Sequence, residues 1–523
     1  MDFHDRPNVL LITIDQLRAD CLGVAGHPVV STPNLDELAR NGVRFANHYS
    51  NCAPCAPARA SLLTGLWQSN HRVTNNGAPL ADDLPMLPRL MRDEGYDPVL
   101  FGYTDTALDP ATLDPDDPRR NGWELPMPGF RAELLLDDRI EEWVEWLDEL
   151  GYDVPEGGGM NNRQIYEPAD VPIPPDRGAT WRPTRYAAEH SEAAFLTGRA
   201  LTWLAEAERS EEPWFAHLSY LRPHPPYVAP EPYNDMFDPA DVPAPIRAET
   251  LADEAALHPF LQAALTLVPS PPDELDQRQL RATYYGMIAE VDAQLGRLLD
   301  GLGELGLTED TVIIVTADHG EQLGDHWLVE KLGFFDQSYR IPLIISAPRY
   351  VTDPGRVVES FTENVDVTPT LLDLVGAPSP TMSDGSSLRP LMEDHRAAEN
   401  WWRDAVHYEY DFREPTSQVI EMLLGLRQDQ CAVSVIRDHQ GKYVHFAGGL
   451  PPLFFDLDDD PDELVNLADD PAYAATVLGY AQRLLSMGIE HADPRLANTR
   501  ATPSGTIRRM DPPRQEPVRR LDN

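Results

Sequence analysis

The run Asn8 to Ile14 (NVLLITI) is almost wholly apolar and lacks polar alternation, which predicts a strand buried on both faces. A comparable run at Thr311–Thr316, with shorter ones at Pro98–Phe101, Trp214–Tyr220 and Ile341–Ser346, predicts further interior strands. Between them, apolar positions recur at helical spacing over Thr32–Asn41, from near Pro57 through Leu63, over Met86–Glu94, Tyr186–Glu208, Gln277–Gly301 and Thr368–Val375. Pro33 suits a first helical turn and Asn41-Gly42 a stop. Strand and helix alternating in this way predict an α/β sandwich around a largely parallel sheet.

The pattern breaks between residues 106 and 185, where Pro, Asp and Gly dominate (Asp114–Arg120, Glu156–Gly159, Pro172–Arg177). An irregular excursion over the surface is expected there, with one helix near Asp137–Leu150. Beyond about residue 385, alternating segments at Cys431–Arg437, Lys442–Phe446 and Leu453–Asp456 predict a small antiparallel sheet, closed by a helix over Pro471–Ser486. The organisation expected is an α/β body over 1–385, an α+β subdomain over 386–495, and an aperiodic Arg/Pro-rich tail or oligomerisation arm over 496–523.

Composition narrows the partners. Hydrophobic residues make up 42% of 523, ample for a large core, but Lys+Arg is 42 against Asp+Glu 86, a net charge of −44. Such a field argues against nucleic acid and against an anionic membrane. Only two lysines occur, Lys331 and Lys442; an acidic, lysine-poor surface suits a chain solvated by carboxylates in concentrated salt, the alternative being an ordinary acidic protein. The N-terminal residues form no basic leader, Val9–Ile12 is too short for a signal core, and no segment approaches a membrane span, so the expected location is cytoplasmic. Cys21, Cys52, Cys55 and Cys431 are too few for a disulfide framework, and the Cys52-Ala-Pro-Cys55 pair lacks a second pair to complete a zinc site.

Candidate chemistry begins at Cys55-Ala56-Pro57-Ala58-Arg59, which opens a predicted helix and continues Ala60-Ser61-Leu62-Leu63-Thr64-Gly65. A helix start offers open N–H groups and a positive dipole end, favouring an anion beside Cys55; Arg59, a turn further, can neutralise a charged neighbour. Asp15-Gln16 and Asp318-His319 each follow a buried strand, and the carboxyl edge of an open α/β sheet is where ligands bind. Two carboxylates, an imidazole and an amide oxygen suit a divalent cation such as Mn²⁺, Mg²⁺ or Ca²⁺. His224 is held between prolines in Arg222-Pro223-His224-Pro225-Pro226, whereas His217 lies within a strand and is assigned to packing. Lys331, in a chain nearly devoid of lysine, marks a need for an ammonium group.

Cys55-x-Pro57-x-Arg59 with its Leu-Thr-Gly tail resembles the signature of the sulfatase family within the alkaline-phosphatase superfamily. The resemblance implies an alkaline-phosphatase-like fold: a large mixed sheet sandwiched by helices, with a smaller C-terminal antiparallel-sheet subdomain. It also implies oxidation of Cys55 to Cα-formylglycine by a formylglycine-generating enzyme that reads Pro57 and Arg59. Asp15, Asp318, His319 and the modified Cys55 would share one divalent metal, expected to be manganese, with calcium or magnesium as alternatives and Gln16 as a further ligand. Sulfatases usually carry Asp at the position of Gln16 and often Asn at that of His319. Lys331 and His224 match the family's substrate-binding lysine and its active-site histidine, the latter able to protonate the leaving group.

Many sulfatases have a Gly-Lys-Trp-His stretch where this chain reads Gly102-Tyr103-Thr104-Asp105-Thr106. That substitution resembles the phosphonate monoester hydrolase and phosphodiesterase branch, as do Val73–Asn76, Pro243–Ala248, Glu330–Ile345, His407–Arg413 and Lys442–Pro471. The branch resemblance implies that Tyr103 assists leaving-group departure and that Asn76 contacts substrate. Asp105 replaces the branch's threonine, with Thr104 or Thr106 as substitutes for the lost hydroxyl. The activity expected is metal- and formylglycine-dependent hydrolysis of a small anionic ester, a phosphonate monoester or phosphodiester, with promiscuous sulfatase activity. Arg59, Lys331 and the cation would hold the non-bridging oxygens. An aryl or alkyl sulfatase is the nearest alternative, and a superfamily phosphomutase or phosphotransferase a more distant one. A homotetramer is expected from the same branch.

Overall fold

In the computed structural model, residues 5–210, 212–394, 402–492, 497 and 499–508 are described. Strand β1 (Asn8–Ile14) has every residue buried, and its side chains divide by parity between two cores. Leu10, Ile12 and Ile14 pack on one face of the sheet, Val9 and Leu11 on the other. Burial on both faces is why the segment is apolar without alternation. Seven more strands complete the sheet: β2 (Val43–Tyr49), β3 (Val99–Gly102), β4 (Arg131–Leu135), β5 (Phe215–Tyr220), β6 (Thr311–Thr316), β7 (Leu343–Ser346) and β8 (Arg356–Glu363). Their order is β8-β2-β7-β6-β1-β5-β3-β4. Only β7 runs antiparallel to its neighbours, so the sheet is mixed but mostly parallel.

The predicted helices are found with shifted ends. The largest shift is at the segment expected over Tyr186–Glu208, whose helix starts at Glu192 because the Ser191 side chain caps it by accepting from Ala194 N–H. Strands β2, β4 and β8 escaped the apolar pattern; β2 places His48 in a fully buried position, bonded to Thr362 at 2.9 Å and to Asn364 at 3.0 Å.

The 106–185 segment corrects the expectation of a mere surface excursion. It adds β4 to the sheet edge, and the helix expected there, found over Glu141–Glu149, buries Trp143 fully beside Leu134, Leu136 and Ile140. Its Pro, Asp and Gly residues form the turns between these anchors, which conceals the apolar positions from a window average.

The C-terminal sheet comprises β9 (Val406–Asp411), β10 (Ala432–Arg437), β11 (Gly441–Phe446) and β12 (Leu453–Asp456), antiparallel in chain order. One face shares a core with the large body: Tyr408, Val433, Val444 and Phe455 meet Phe260, Phe334, Phe335 and Tyr339. The helix Ala474–Glu490 covers the other face through Tyr480. Of the expected tail 496–523, residues 496, 498 and 509–523 lie outside the described residues, while Thr499–Thr502 pairs with Gly505–Arg508 as a hairpin. No helix among the described residues is long and apolar enough to cross a membrane.

Lys442 fastens the two sheets. Its Nζ is fully buried, 2.7 and 2.8 Å from the Glu463 carboxylate oxygens and 3.0 Å from Asp336 Oδ1 of the large body. Lys442→Met keeps most of the apolar stem and strands the buried Glu463 carboxylate, while part-buried Asp336 keeps Arg437 and the Tyr49 hydroxyl, so urea unfolding should show a loss of about 3 kcal/mol. An unchanged midpoint would mean that the triad contributes nothing to stability.

Candidate active site

The carboxyl ends of β1, β2, β3, β5 and β6 converge at one edge of the sheet. Asp15 and Gln16 leave β1, Cys55 follows β2 within a few residues, Tyr103 and Asp105 leave β3, His224 follows β5, and Asp318 and His319 follow β6. The helix over Cys55–Thr64 is buried along all ten residues and is stopped by Gly65, whose left-handed φ of 70° lets its N–H reach Ser61 O at 2.9 Å. Gly102 ends β3 where its backbone meets β5: a Cβ there would sit 2.3 Å from Ser219 O.

Asp15, Cys55, Asp318 and His319 are all buried, and one potential ligand atom from each lies within 4.8 Å of the others. His319 Nε2 is 3.2 Å from Cys55 Sγ, 3.8 Å from Asp15 Oδ1 and 3.9 Å from Asp318 Oδ1. His319 Nδ1 faces Gly320 O at 3.0 Å, so that nitrogen carries the proton and Nε2 presents its lone pair to the cluster. Asp15 Oδ1 is buried without a hydrogen-bond partner. An orphaned carboxylate oxygen, a bare imidazole nitrogen and a second carboxylate converging on one point form a donor set that fits a divalent cation.

Arg59 holds the carboxylates from behind. Its guanidinium is fully buried and donates to Asp318 Oδ2 at 3.0 Å, Asp15 Oδ2 at 3.1 Å, Ser219 Oγ at 2.7 Å and Tyr103 O at 3.0 Å, while lying 4.0 Å from the Tyr103 ring centroid. This corrects the expectation that Arg59 grips substrate oxygens: its donors are spent on the metal-binding carboxylates and the strand ends. Burial disfavours ionisation of Asp15, but Arg59, His319, Lys331 and the Tyr103 hydroxyl outweigh it and hold its pKa below the usual carboxylate range. The Tyr103 hydroxyl donates to Asp15 Oδ2, so Tyr103 too serves the ligand set.

Lys331 donates to Gln16 Oε1 at 2.9 Å and approaches His224 Nε2 at 3.3 Å. The other end of the Gln16 amide donates to Glu321, so both of its polar atoms are engaged. His224 Nδ1 faces Pro225 O at 2.8 Å and therefore carries the proton, leaving Nε2 as an acceptor toward Lys331. Burial, reinforced by Lys331, pushes the His224 pKa well down, whereas Lys331 stays charged because Cys55, Asp15 and Glu330 outweigh its desolvation. The imidazole expected as a proton donor thus rests in its neutral form, with the ammonium beside it.

Asn76 Oδ1 accepts from Ala56 N–H at 3.0 Å, and Ala58 N–H turns back to Pro54 O at 3.1 Å. Pro57 has no N–H, so the open donor array expected at this helix start is largely closed by Asn76. Thr104 and Thr106 do not stand in for the branch's threonine. Thr104 Oγ1 donates to Leu125 O at 3.1 Å and accepts from Met127 N–H at 2.8 Å, while Thr106 Oγ1 donates to Thr104 O at 3.3 Å. Tyr103 and Asp105 line the cavity, Asp105 from a left-handed backbone (φ 50°), and the threonines do not.

Two residues were not singled out from the sequence. Arg222 Nη1 donates to His224 O at 2.8 Å and to Pro226 O at 2.9 Å, clamping the histidine loop. Glu321 receives Gln16, the Tyr227 hydroxyl at 2.8 Å, and the N–H groups of Leu323 and Glu330. The only sequence signal for either is its position beside a recognised motif.

Residues 7–377 match the Sulfatase family, and residues 324–489 match the C-terminal region described as N-sulphoglucosamine sulphohydrolase, C-terminal. The chain is 44% identical over 521 residues to the multifunctional alkaline phosphatase superfamily protein PehA of Trinickia caryophylli, covering 96% of this chain and 99% of that relative. It superimposes on the phosphonate monoester hydrolase of Agrobacterium radiobacter with a TM-score of 0.90 at 45% identity, covering 96% of this chain and 100% of that one. The phosphonate monoester hydrolase of Silicibacter pomeroyi gives 0.90 at 39% identity, with 97% and 99% covered. A family match spanning most of the chain, over an active-site edge assembled as described, shows that this chain belongs to the sulfatase family.

Proposed function

We propose that the chain hydrolyses phosphonate monoesters and phosphodiesters, with sulfate esters as secondary substrates. The observation that carries this reading is the cluster of Asp15, Cys55, Asp318 and His319, of which Asp15 and Cys55 line a cavity that presents Tyr103 rather than a lysine. Similarity to phosphonate monoester hydrolases over nearly the whole chain supports it. Asp15, Asp318, His319 and residue 55 would hold one divalent ion, with manganese the ion we expect and calcium or magnesium the alternatives that carboxylates also suit. Cys55 would be matured to Cα-formylglycine, with Pro57 and Arg59 as the recognition residues. When bound, the ion supplies Lewis-acid polarisation, and the aldehyde hydrate supplies one hydroxyl to attack and a second to expel the product.

The remaining chemistry falls to the chain's own side chains. Arg59 and Tyr103 fix the Asp15 and Asp318 carboxylates, so the ligand geometry is preorganised. Lys331 supplies fixed positive charge behind the cavity wall, beside Gln16 and His224. His224 lines the cavity with Nε2 accepting from Lys331, so the pair would meet the departing alcohol with the ammonium as the hydrogen-bond donor. Gln16 holds Lys331 at that position.

Comparison of kcat/KM on an aryl phosphonate monoester, an aryl phosphodiester and an aryl sulfate tests the ranking, with mass spectrometry of the Cys55 peptide on the same preparation. The expected result is an aldehyde-containing peptide and phosphonate or diester values above the sulfate value. A dominant sulfate value would make the protein a true sulfatase, and a persistent thiol in active protein would overturn the mechanism. A cytoplasmic homotetramer, with the 496–523 segment as an arm, completes the proposal; if the acidic surface is an adaptation to salt, activity rises with ionic strength.

A further inference from the structure

The cavity above Cys55 has a volume of about 210 Å³, and its outer wall comes from the 106–185 segment through Trp123, Glu124, Asp137, Asp138, Arg163 and Tyr166. That wall has the wrong sign for a plain anionic ester. Four carboxylates face the cavity besides Asp15, namely Asp105, Glu124, Asp137 and Asp138, against Arg163 as the guanidinium among the lining residues. Arg163 is already committed to Asp138, and Asp137 is paired with Arg139 at 2.9 Å. Glu124 accepts the Asp138 N–H and forms no ion pair among the described residues.

Asp105 is the sharper anomaly. It is 5% exposed, faces the cavity, and accepts no hydrogen bond among the described residues. Its nearest cation is Arg59 Nε at 3.5 Å, already bonded to Asp318 at 3.0 Å. Burial raises the Asp105 carboxyl to about 7 against the pull of Arg59, with Asp15, Asp318 and Asp138 adding repulsion. Burial, then Asp105 and Asp138, raises Glu124 to about 9. Glu124 thus has no ion-pair partner among the described residues, and Asp105 has only a share of Arg59, which it divides with Asp15 and Asp318.

We propose that the organic arm of the substrate ends in a protonated amine, received between Asp105 and Glu124 with Trp123 flanking it. The subsite deepens the hydrolase reading above and rests on it. A zwitterionic ester of this kind would turn its anionic end toward the Asp15–Cys55 cluster and its ammonium toward carboxyls that ionise in its presence, so both ends would be complementary. Trp123, 38% exposed, is among the lining residues, and an indole there can attract an alkylammonium group.

The test uses two isosteric diesters, 4-nitrophenyl 2-aminoethyl phosphate and 4-nitrophenyl propyl phosphate, which differ by an ammonium in place of a methyl. The aminoethyl ester should be favoured in kcat/KM on the order of tenfold at low salt. Several-fold preference should persist at about 1 M salt, because a partly buried pair is screened less than a general acidic surface. Glu124→Gln can still accept the Asp138 N–H and should bring the ratio of the two substrates toward one. A ratio of one or less in the unaltered protein, or a ratio that ignores Glu124→Gln, overturns the subsite. Failure to hydrolyse the propyl ester counts instead against the hydrolase reading. The subsite is then read by inhibition of whichever ester reaction the protein performs, with 2-aminoethyl phosphate expected to bind more tightly than propyl phosphate and equal inhibition overturning it.

Discussion

With serine in place of Cys55, the protein should release at most one equivalent of alcohol per active site and then stop. Serine offers a single hydroxyl on a tetrahedral carbon, able to form an ester with the substrate but without a neighbouring hydroxyl to expel it. The covalent ester would sit in a buried cluster beside His319, where Cys55 itself is 3% exposed and external water has little access. Steady-state turnover should therefore fall by about 10⁴-fold or more, the scale seen when a nucleophile is removed. An initial burst with nitrophenyl substrates, and a mass increase on the peptide containing residue 55, check the two halves of this outcome. Sustained turnover well above background would show that a simple hydroxyl suffices, and would remove the chemical reason for maturing Cys55. Cys55→Ala should show neither burst nor mass increase, which separates covalent capture from contamination.

Much of this cluster was legible from the chain because each ligand directly follows, or opens, a strongly patterned element. Asp15 ends the apolar run of β1, Asp318 and His319 end that of β6, and Cys55 opens a helix marked by Pro57. Direction was less legible than position. Nothing in Gly102-Tyr103-Thr104-Asp105-Thr106 says which side chains face the cavity; Leu125 and Met127 take the Thr104 hydroxyl on the far side. Asn76 could be recognised as belonging to the site, but its bond to Ala56 N–H requires two segments to meet. Arg222 and Glu321 are set by loop closure in the same way. The outer wall was hidden for a compositional reason: the turns that carry Glu124 and Asp138 look like surface, while the residues that anchor them, Leu134, Ile140 and Trp143, are spread too thinly to register as a core.

Arg59→Met should do more damage than loss of a substrate contact would. The guanidinium is fully buried and faces Asp15, Asp318 and, at 3.5 Å, Asp105, so its removal leaves three carboxylates without their shared cation. Removing one partner of a buried ionic network costs about 3–5 kcal/mol, and that loss should appear in urea unfolding of the metal-free protein. Adding Mn²⁺ should recover part of it, because a divalent ion among Asp15, Asp318 and His319 supplies charge at the same carboxylates from the other side. Turnover should fall by about 10³-fold, since the ligand carboxylates are no longer preorganised. The same arginine is a proposed recognition element for maturation, so lost activity alone would not separate the two roles. Expressing kcat per aldehyde, measured by mass spectrometry of the residue 55 peptide, does so. Activity restored on that basis would reduce Arg59 to a maturation signal, whereas a persistent defect together with metal-dependent stability assigns it to the folded site.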